Sequence, residues 1–247
     1  MELQAFFQRH PKVALAFSGG TDSSYLLYAA TACGAAVRPY FVRSQFQPAF
    51  ELQDAERLAG MLNVPLTVIE LDVLACGTVA ENPPNRCYFC KQRIFSALTA
   101  RARADGYDTL IDGTNASDDS GDRPGMRALE EMGIQSPLRL CGITKDDVRA
   151  RSRAAGLFTW DKPSYACLAT RIAAGEPITA EKLHAVEASE GFLYKLGFSD
   201  LRVRVDHGTA RVQVPRAQLP AALAQRDKIV EQLRQYYDTV TIDPKGR

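Results

Sequence analysis

Three cysteines lie in segments whose residue types could support sulfur or metal chemistry. Cys87 and Cys90 form a C-x-x-C pair, and Cys167 lies in a later segment. A C-x-x-C pair alone is typical of a redox pair or of half a zinc site. With one distant cysteine, the set is one thiolate short of a closed tetrahedral zinc site. Three thiolates can instead hold three irons of a 4Fe-4S cube and leave the fourth iron open.

The other cysteines have no motif around them. Six cysteines in 247 residues are too few for a disulfide scaffold. We therefore expect Cys33, Cys76 and Cys141 to be small buried residues that contribute only to packing.

A glycine-rich hexapeptide follows the first apolar run of the chain. Residues 18–23 read Ser-Gly-Gly-Thr-Asp-Ser, between a predicted strand and a predicted helix. Gly19 and Gly20 let backbone N–H groups approach an anion without obstruction by a Cβ, and the helix start adds free N–H donors. Ser18 and Ser23 can donate further hydrogen bonds. No Walker A lysine and no G-x-G-x-x-G fingerprint are present, so the alternatives are a different kind of phosphate loop or an ordinary tight turn.

Strand-like and helix-like patterns alternate up to about residue 156. Short apolar runs predict buried strands at 13–17, 37–42, 66–71 and 109–111. Helices are predicted at 22–33, 49–62, 86–103 and 145–155. Thr144 and Asp147 form a capping box for the last of these, and Gly156 is a residue of the type that ends a helix. This alternation predicts an α/β fold, a parallel sheet with helices on both faces and its ligand at the carboxyl ends of the strands.

The pattern changes after about residue 170. A hinge-like segment at 173–177 precedes a predicted helix that is capped by Thr179 and closed by Gly197. Alternating residues on both sides of 206–208 predict a hairpin. A predicted helix at 216–235 and a strand at 239–242 complete a small α+β domain. We therefore predict two domains, 1–172 and 173–247.

The charge balance bears on the class of partner. Lys and Arg number 30 and Asp and Glu 29, which gives a formal net charge of +1. Such a chain has no global attraction for nucleic acid or for an anionic membrane. The longest nearly apolar stretch, 26–37, is about half the length that spans a bilayer, and the first residues lack the pattern of a secretory signal. We expect a cytoplasmic protein that forms no stable complex with nucleic acid or membrane.

An ordered series of motifs resembles one family of enzymes. Residues 18–23 resemble the PP-loop of the N-type ATP pyrophosphatases, and residues 112–119 resemble a second nucleotide-site motif. With the later segments 122–128, 136–138 and 160–172, the series is similar to the LarE family of ATP-dependent sulfur transferases. Members of this family make the nickel-pincer nucleotide cofactor. The resemblance runs from about residue 10 to 215 and implies a PP-loop, Rossmann-like adenylating domain over 1–172.

The resemblance implies roles for named residues. It predicts that ATP is bound by Ser18, Gly19, Gly20, Asp22, Ser23, Gly113 and Asn115. Asp22 is a candidate direct or water-mediated ligand of Mg²⁺. Cys167 falls at the family's sulfur-bearing cysteine, which in single-cysteine members gives up its own sulfur. In members with three such cysteines, a 4Fe-4S cluster delivers hydrosulfide. The resemblance to these members predicts that Cys87, Cys90 and Cys167 are both metal ligands and catalytic residues.

Arginines on the predicted hairpin could hold the substrate. Arg202 and Arg204 are two residues apart on a strand, so they project to one face, and Arg211 lies on the partner strand. Guanidinium groups suit a phosphate, although such a face can also be merely solvated. In the family this stretch looks like the clamp for the phosphate of a pyridinium mononucleotide. One departure is Gln213, where the family often has a Glu; a glutamine can act neither as an anionic ligand nor as a general base.

Other functions remain open at the level of sequence. A PP-loop tRNA thiolase, also an adenylating enzyme, would need a basic groove for RNA. A synthetase that uses ammonia would not require the three cysteines. A nucleotide sensor would keep the loop without turnover. The resemblance favours the sulfur transferase with a pyridinium mononucleotide substrate, a sulfide or persulfide donor and a homo-oligomeric assembly, and it leaves direct loss of the Cys167 sulfur as the second mechanism.

Overall fold

The structure is a computed structural model, which describes residues 2–118 and 124–247. In these residues the strands are β1 (Lys12–Ala16), β2 (Ala36–Arg43), β3 (Thr67–Glu70), β4 (Leu110–Ile111), β5 (Arg202–Asp206), β6 (Thr209–Gln213) and β7 (Thr239–Ile242). The α-helices are α1 (Leu3–Arg9), α2 (Thr21–Ala32), α3 (Ala49–Met61), α4 (Gly77–Ala80), α5 (Arg86–Ala104), α6 (Pro124–Glu131), α7 (Pro137–Leu140), α8 (Lys145–Ala154), α9 (Ala180–Lys195), α10 (Leu219–Ala224) and α11 (Arg226–Leu233). Two 3₁₀ turns cover Leu168–Arg171 and Arg216–Gln218.

Two compact units make up the chain. The first contains Met1–Val73 and Asn85–Tyr165, and the second contains Leu74–Pro84 and Ala166–Arg247. The functional division at residues 172 and 173 stays a prediction. In the described ranges, no helix is both long and apolar enough to cross a membrane.

A parallel sheet forms the centre of the first unit, in the strand order β3-β2-β1-β4. Val13 and Leu15 of β1 face one side, where they belong to the same buried cluster as Leu58 of α3. Ala14 faces the other side and shares a cluster with Phe95 of α5. Apolar residues at alternate positions therefore bury both faces of the sheet under helices. The α/β prediction is confirmed, and each of the four predicted strands lies within one residue of its observed bounds.

Local signals explain where the helices of the first unit begin. Thr144 Oγ1 accepts a hydrogen bond from the Asp147 N–H at 3.2 Å, and the Asp147 carboxylate accepts one from the Thr144 N–H at 3.0 Å. This capping box starts α8, and Gly156, with φ of 69°, follows its C-terminus. Helix α2 begins differently, because Gly20 is its N-cap and no side chain caps it there. Its first N–H groups are thus available at the carboxyl end of β1.

The second unit is an α+β arrangement. β5 and β6 form the predicted antiparallel hairpin, and β7 adds to β6 in parallel. Helix α9 is capped by Thr179, whose Oγ1 accepts the Lys182 N–H at 3.3 Å. The helix packs against β5, and its Val186 is fully buried. The prediction of one continuous helix at 216–235 was wrong. Pro220 lies in the first turn of α10, where a proline is favoured, and Gln225, with ψ of 14°, separates α10 from α11.

A short segment distant in sequence joins this unit. The Gly175 N–H donates to the Asn82 carbonyl at 2.8 Å, and the Asn82 side-chain amide donates to the Ala173 carbonyl at 2.8 Å. Ile178 N–H donates to the Ala80 carbonyl at 2.7 Å. Asn82 is buried and has φ of 57°, a conformation that asparagine tolerates better than most residues. The sequence did not indicate that Leu74–Pro84 would pack with the C-terminal residues.

Candidate active site

The glycine-rich loop closes around the uncapped start of α2. Ser18 Oγ and Ser23 Oγ are 3.1 Å apart, and the Ser18 N–H donates to Ser23 Oγ at 3.3 Å. Gly19 has φ of 68°, and a Cβ at this position would lie 2.9 Å from the Glu51 carbonyl oxygen of α3. Only glycine therefore fits between the loop and α3. The loop presents backbone N–H groups and the positive end of a helix, a combination that binds anions.

The second predicted motif meets this loop. A Cβ at Gly113 would lie 2.8 Å from the Ser23 backbone nitrogen, so the two backbones are in direct contact. Asn115 donates its side-chain amide to Asp22 Oδ1 at 3.2 Å. Its own backbone N–H donates to the Asp118 carboxylate at 2.9 Å. The structure thus brings all seven residues that were predicted to bind ATP into one region of the first unit.

Asp22 lies between an amide and an ammonium group. Its Oδ2 is 2.5 Å from the Lys145 Nζ, and both side chains are about one-quarter exposed. Lys145 is the first residue of α8, and its backbone N–H donates to Ser117 Oγ at 3.0 Å. The sequence did not single out Lys145. The sequence indicated only the capping box at Thr144, which predicts that the next residue, Lys145, begins a helix.

The segment that leads towards Cys167 is tied to the loop. Thr21 Oγ1 donates to the Thr159 carbonyl at 2.9 Å, and Lys162 Nζ donates to the Gly19 carbonyl at 3.2 Å. Arg149 of α8 donates to the Trp160 and Lys162 carbonyls at 2.9 and 2.8 Å. These contacts fix residues 159–162 beside the anion-binding loop.

A cavity of about 350 Å³ opens beside the loop. Loop residues Ser18 and Ser23 line it, together with Asp112 and Asp118 after β4. Asp112 is buried and accepts hydrogen bonds from the Thr114 and Ser136 hydroxyl groups at 2.5 and 2.6 Å. Lys91 of α5 also lines the cavity, and burial lowers the pKa of its ammonium group against the opposing effect of nearby charges, Asp112 foremost.

Cys87 and Cys90 lie in the first turns of α5, and neither forms a disulfide. Residues three apart on a helix are neighbours on one face, so both thiols can serve one metal centre. Cys87 is exposed, and the Arg86 guanidinium lies 3.7 Å from its sulfur. A second cavity, of about 950 Å³, is lined by Tyr88 and Phe89 from the same turn. Cys167 belongs to the second unit, and its cooperation with this pair stays a prediction.

A buried ion pair holds the backbone at Cys167. Arg171 and Glu190 are joined by hydrogen bonds of 2.9 and 3.2 Å, and their side chains are 1% and 2% exposed. Arg171 Nη1 also donates to the Ala166 carbonyl at 2.7 Å and to the Cys167 carbonyl at 3.4 Å. Glu190 Oε1 accepts the Val203 N–H of β5 at 3.0 Å. The sequence did not indicate this pair, because a buried arginine gives no periodic signal.

The three predicted phosphate-binding arginines share one face of the hairpin. Arg204 and Arg211 are directly opposite in the β5–β6 register. Arg202 is buried, and desolvation together with the charge of Arg171 lowers the pKa of its guanidinium group. Arg204 Nη1 donates to the Thr170 carbonyl at 3.0 Å, which connects this face to the turn that begins at Cys167.

Gln213 has a defined part in this arrangement. It is opposite Arg202 in the register, accepts a hydrogen bond from Arg204 Nε at 3.0 Å and donates its amide to Asp243 at 2.8 Å. The amide is the main reason that the pKa of Asp243 lies below its ordinary value. A glutamate at this position could not donate to Asp243. The departure from the family pattern is therefore matched to a carboxylate on the neighbouring segment.

Three side chains of the second unit also lie close together. Glu176, Asp206 and His207 are close enough to share an ion, but Glu176 already pairs with Lys182 at 2.7 Å.

The prediction that Cys33, Cys76 and Cys141 are buried was wrong: Cys33 is exposed, and the other two are half-buried. All three lie on or beside surface turns, where a small residue is not forced inward.

A parallel α/β sheet with a glycine-rich loop at the end of its first strand is an arrangement consistent with a PP-loop domain. No protein-family model matches the chain. It is 31% identical to the pyridinium-3,5-bisthiocarboxylic acid mononucleotide synthase of Lactiplantibacillus plantarum over 238 residues, which cover 95% of this chain and 86% of the synthase. The chain belongs to the LarE family of sulfur transferases.

Two further relatives extend the comparison. A protein of Synechocystis sp., described as uncharacterized, is 36% identical over 220 residues, or 88% of this chain and 81% of that protein. A protein of Methanocaldococcus jannaschii, also described as uncharacterized, is 30% identical over 233 residues, or 92% and 87% of the two chains. These similarities therefore span both units of the structure.

Proposed function

We propose that the protein is an ATP-dependent sulfur transferase of nickel-pincer nucleotide cofactor biosynthesis. It adenylates a carboxylate of a pyridinium dicarboxylate mononucleotide and converts it to a thiocarboxylate. The observation that carries this proposal is the meeting of the two nucleotide motifs at the uncapped start of α2, where Gly113 touches Ser23. The name of the Lactiplantibacillus plantarum relative supports the choice of substrate.

The loop side chains and backbone serve the activation step. A carboxylate is a poor acyl electrophile because its charge and resonance oppose attack. One of its oxygens attacks the α-phosphorus of ATP, the bond to the bridging oxygen breaks, and pyrophosphate leaves. The N–H groups at Gly20 and the hydroxyl groups of Ser18 and Ser23 hold the departing charge. Asp22 is the candidate ligand for Mg²⁺, with Asn115 orienting the carboxylate.

The sulfur step replaces AMP at the acyl carbon. A hydrosulfide sulfur bonds to that carbon, the bond to the AMP oxygen breaks, and AMP leaves with the oxygen. Cys87 and Cys90 fit a cluster, because two cysteines outside any disulfide and one helical turn apart supply two ligands from one face, and Cys167 would be the third. When bound, a 4Fe-4S cluster would supply an open iron position for hydrosulfide. The donor would be sulfide, or a persulfide whose outer sulfur a thiol reduces to hydrosulfide while that thiol is oxidised to a disulfide.

Self-sacrifice of Cys167 is the second mechanism. The Cys167 sulfur would attack the acyl-adenylate and release AMP. Loss of the Cα proton and cleavage of the Cβ–S bond would then free the thiocarboxylate and leave dehydroalanine. The observation that favours this mechanism is the fixed backbone at Cys167, whose carbonyl accepts from Arg171 and from the Thr170 hydroxyl at 2.8 Å.

The substrate phosphate is assigned to the hairpin. Arg204 and Arg211 place like charges opposite one another, and Asp243 pairs with Arg211 at 3.7 Å. A bound phosphate would offset the charge that this single carboxylate leaves uncompensated. Arg202 adds a third guanidinium on the same face. We accordingly propose an adenylating domain at 1–172 and a substrate-binding, oligomerising domain at 173–247, in a cytoplasmic homo-oligomer.

Pyrophosphate release tests the proposal. ATP alone should give little release. ATP with the pyridinium dicarboxylate mononucleotide should give pyrophosphate, and AMP should match it in amount once sulfide is supplied for the second step. Transfer RNA in place of the mononucleotide should have no effect. Release that depends on transfer RNA would point to a thiolase, and binding of ATP without release under any of these conditions would point to a sensor.

A further inference from the structure

We propose that Lys91 binds the phosphate chain of the nucleotide, so that the turn that carries Cys87 and Cys90 is itself part of the ATP site. This inference rests on the proposed function, since it presumes that the cavity beside the glycine-rich loop holds ATP. It adds a residue that neither nucleotide motif contains.

The position of Lys91 is the first argument. It follows Cys90 directly on α5 and lines the same cavity as Ser18 and Ser23 of the loop. Helix α5 covers one face of the sheet through Phe95 and Leu98, which belong to the same buried cluster as Ala14 of β1. A side chain on the first turns of α5 therefore faces the carboxyl end of β1, where the anion-binding loop lies.

The charge of the cavity is the second argument. Four acidic residues line it, namely Asp22, Glu51, Asp112 and Asp118. Among the lining residues within the described ranges, Lys91 is the single basic one. Lys145 is paired with Asp22, so it is already engaged by that carboxylate. A polyphosphate that enters this cavity needs a cation on its wall besides any bound metal ion, and Lys91 is the residue placed to supply it.

The packing of the side chain is the third argument. A Cβ at Gly125 of α6 would lie 3.1 Å from both Cδ and Cε of Lys91 and 3.4 Å from its Nζ. Glycine at this position thus leaves a slot in which the lysine stem runs alongside α6. A stem held in a slot loses less conformational entropy when its ammonium group binds a ligand. A lysine that served only to solubilise the helix would not require such a slot.

Binding of ATP to the full chain tests the assignment. Calorimetry with Mg-ATP should show Lys91→Met weakening the dissociation constant by about ten- to a hundredfold, the loss typical of a charge-assisted hydrogen bond. Arg93→Met is the matched control, because Arg93 is exposed on the same helix, and its affinity should stay within about twofold of the wild type. Circular dichroism checks that each variant is folded.

A second variant tests the slot without removing a charge. Gly125→Ala should weaken ATP binding by about tenfold, because the new Cβ displaces the Lys91 stem. Alanine is also the better helix former, so the backbone of α6 has no reason to unfold. This variant therefore keeps the test valid if Lys91→Met proves unstable.

The outcomes separate this inference from the proposed function. Wild-type affinity in both Lys91→Met and Gly125→Ala would overturn the assignment of Lys91 and leave the function standing. Unchanged ATP affinity in Lys91→Met together with altered reactivity of the Cys87 and Cys90 thiols would overturn it in favour of a role towards the cysteines. Failure of the wild-type protein to bind ATP would contradict both proposals.

Discussion

Gly113 and Ser23 are in backbone contact, with room for a hydrogen but not for a methyl group: a Cβ on Gly113 would lie 2.8 Å from the Ser23 nitrogen and 3.1 Å from its Cα. The contact exists because β1 and β4 are adjacent and parallel, so the turns after both strands meet at one sheet edge. Two motifs that are distant in sequence therefore form one candidate nucleotide site.

Gly113→Ala should disturb this site directly. Its Cβ must push the start of α2 away, which we expect to lower the free energy of unfolding by about 1–3 kcal/mol and to weaken ATP binding. Denaturant unfolding and calorimetry measure the two effects. Gly60→Ala in α3 is the control, because nothing lies within 4 Å of its Cβ position. Equal behaviour of the two variants would contradict the contact.

Asp22→Asn should reduce the response of the enzyme to Mg²⁺. The amide keeps the shape of the side chain but loses the anionic oxygen that faces Lys145, so the Mg²⁺ concentration for half-maximal pyrophosphate release should rise by about 10–100-fold. Asp108→Asn, at an exposed position of the same unit, should leave this concentration unchanged. An unaltered Mg²⁺ dependence in Asp22→Asn would remove the residue from the site.

Arg171→Met should destabilise the protein by about 3–5 kcal/mol, because it leaves the buried Glu190 carboxylate without its partner. Urea unfolding measures this loss. Arg43→Met removes one partner of an ion pair whose side chains are 59% and 68% exposed, and it should cost less than about 1 kcal/mol. Comparable losses in the two variants would show that the Arg171–Glu190 pair does not support the Cys167 backbone.

Glu176 should make the second unit sensitive to acid. Burial favours a raised pKa, but hydrogen bonds from Lys182 and the His207 N–H outweigh it and hold the pKa of Glu176 below its ordinary value of 4.5. The unfolded state thus binds a proton more readily, so the stabilisation is present above pH 4.5 and is lost as the pH falls through the folded pKa.

Unfolding free energies from about pH 6 to about pH 3 test this sign. Glu176→Gln should lose less stability over that range than the wild type, whereas Glu231→Gln, at an exposed position, should follow the wild type. A steeper loss in Glu176→Gln would mean that the carboxylate is destabilising in the folded protein.

Local patterns were enough to predict the four parallel strands of the first unit and the helices α2, α3, α5 and α8, but not α1, α6 or α7. Apolar runs, glycines and helix caps act through residues that are close in sequence. The four parallel strands and these four helices therefore lie within one residue of their predicted bounds. The hairpin and its arginine face followed from two-residue alternation. The resemblance supplied the nucleotide residues, and the structure brings them together at α2.

Long-range contacts explain what the sequence did not indicate. The attachment of Asn82 to residues 173–176 and the ion pair of Arg171 with Glu190 depend on how distant segments pack, and no periodicity encodes that. The same holds for Lys91, whose importance comes from the cavity and from Gly125 rather than from its neighbours in sequence. Gln213 is the opposite case, because the sequence shows that it stands where the family often has a glutamate. Its hydrogen bond to Asp243 explains this departure.

The central claim is catalytic sulfur transfer through Cys87, Cys90 and Cys167. Protein reconstituted anaerobically with iron and sulfide, then given ATP, the pyridinium dicarboxylate mononucleotide and excess sulfide, can be followed by mass spectrometry of product and intact chain. We expect several thiocarboxylates per chain with Cys167 unchanged, and loss of bound iron in Cys87→Ala but not in the control Cys33→Ala. At most one thiocarboxylate per chain, with the sulfur missing from Cys167, would contradict the account.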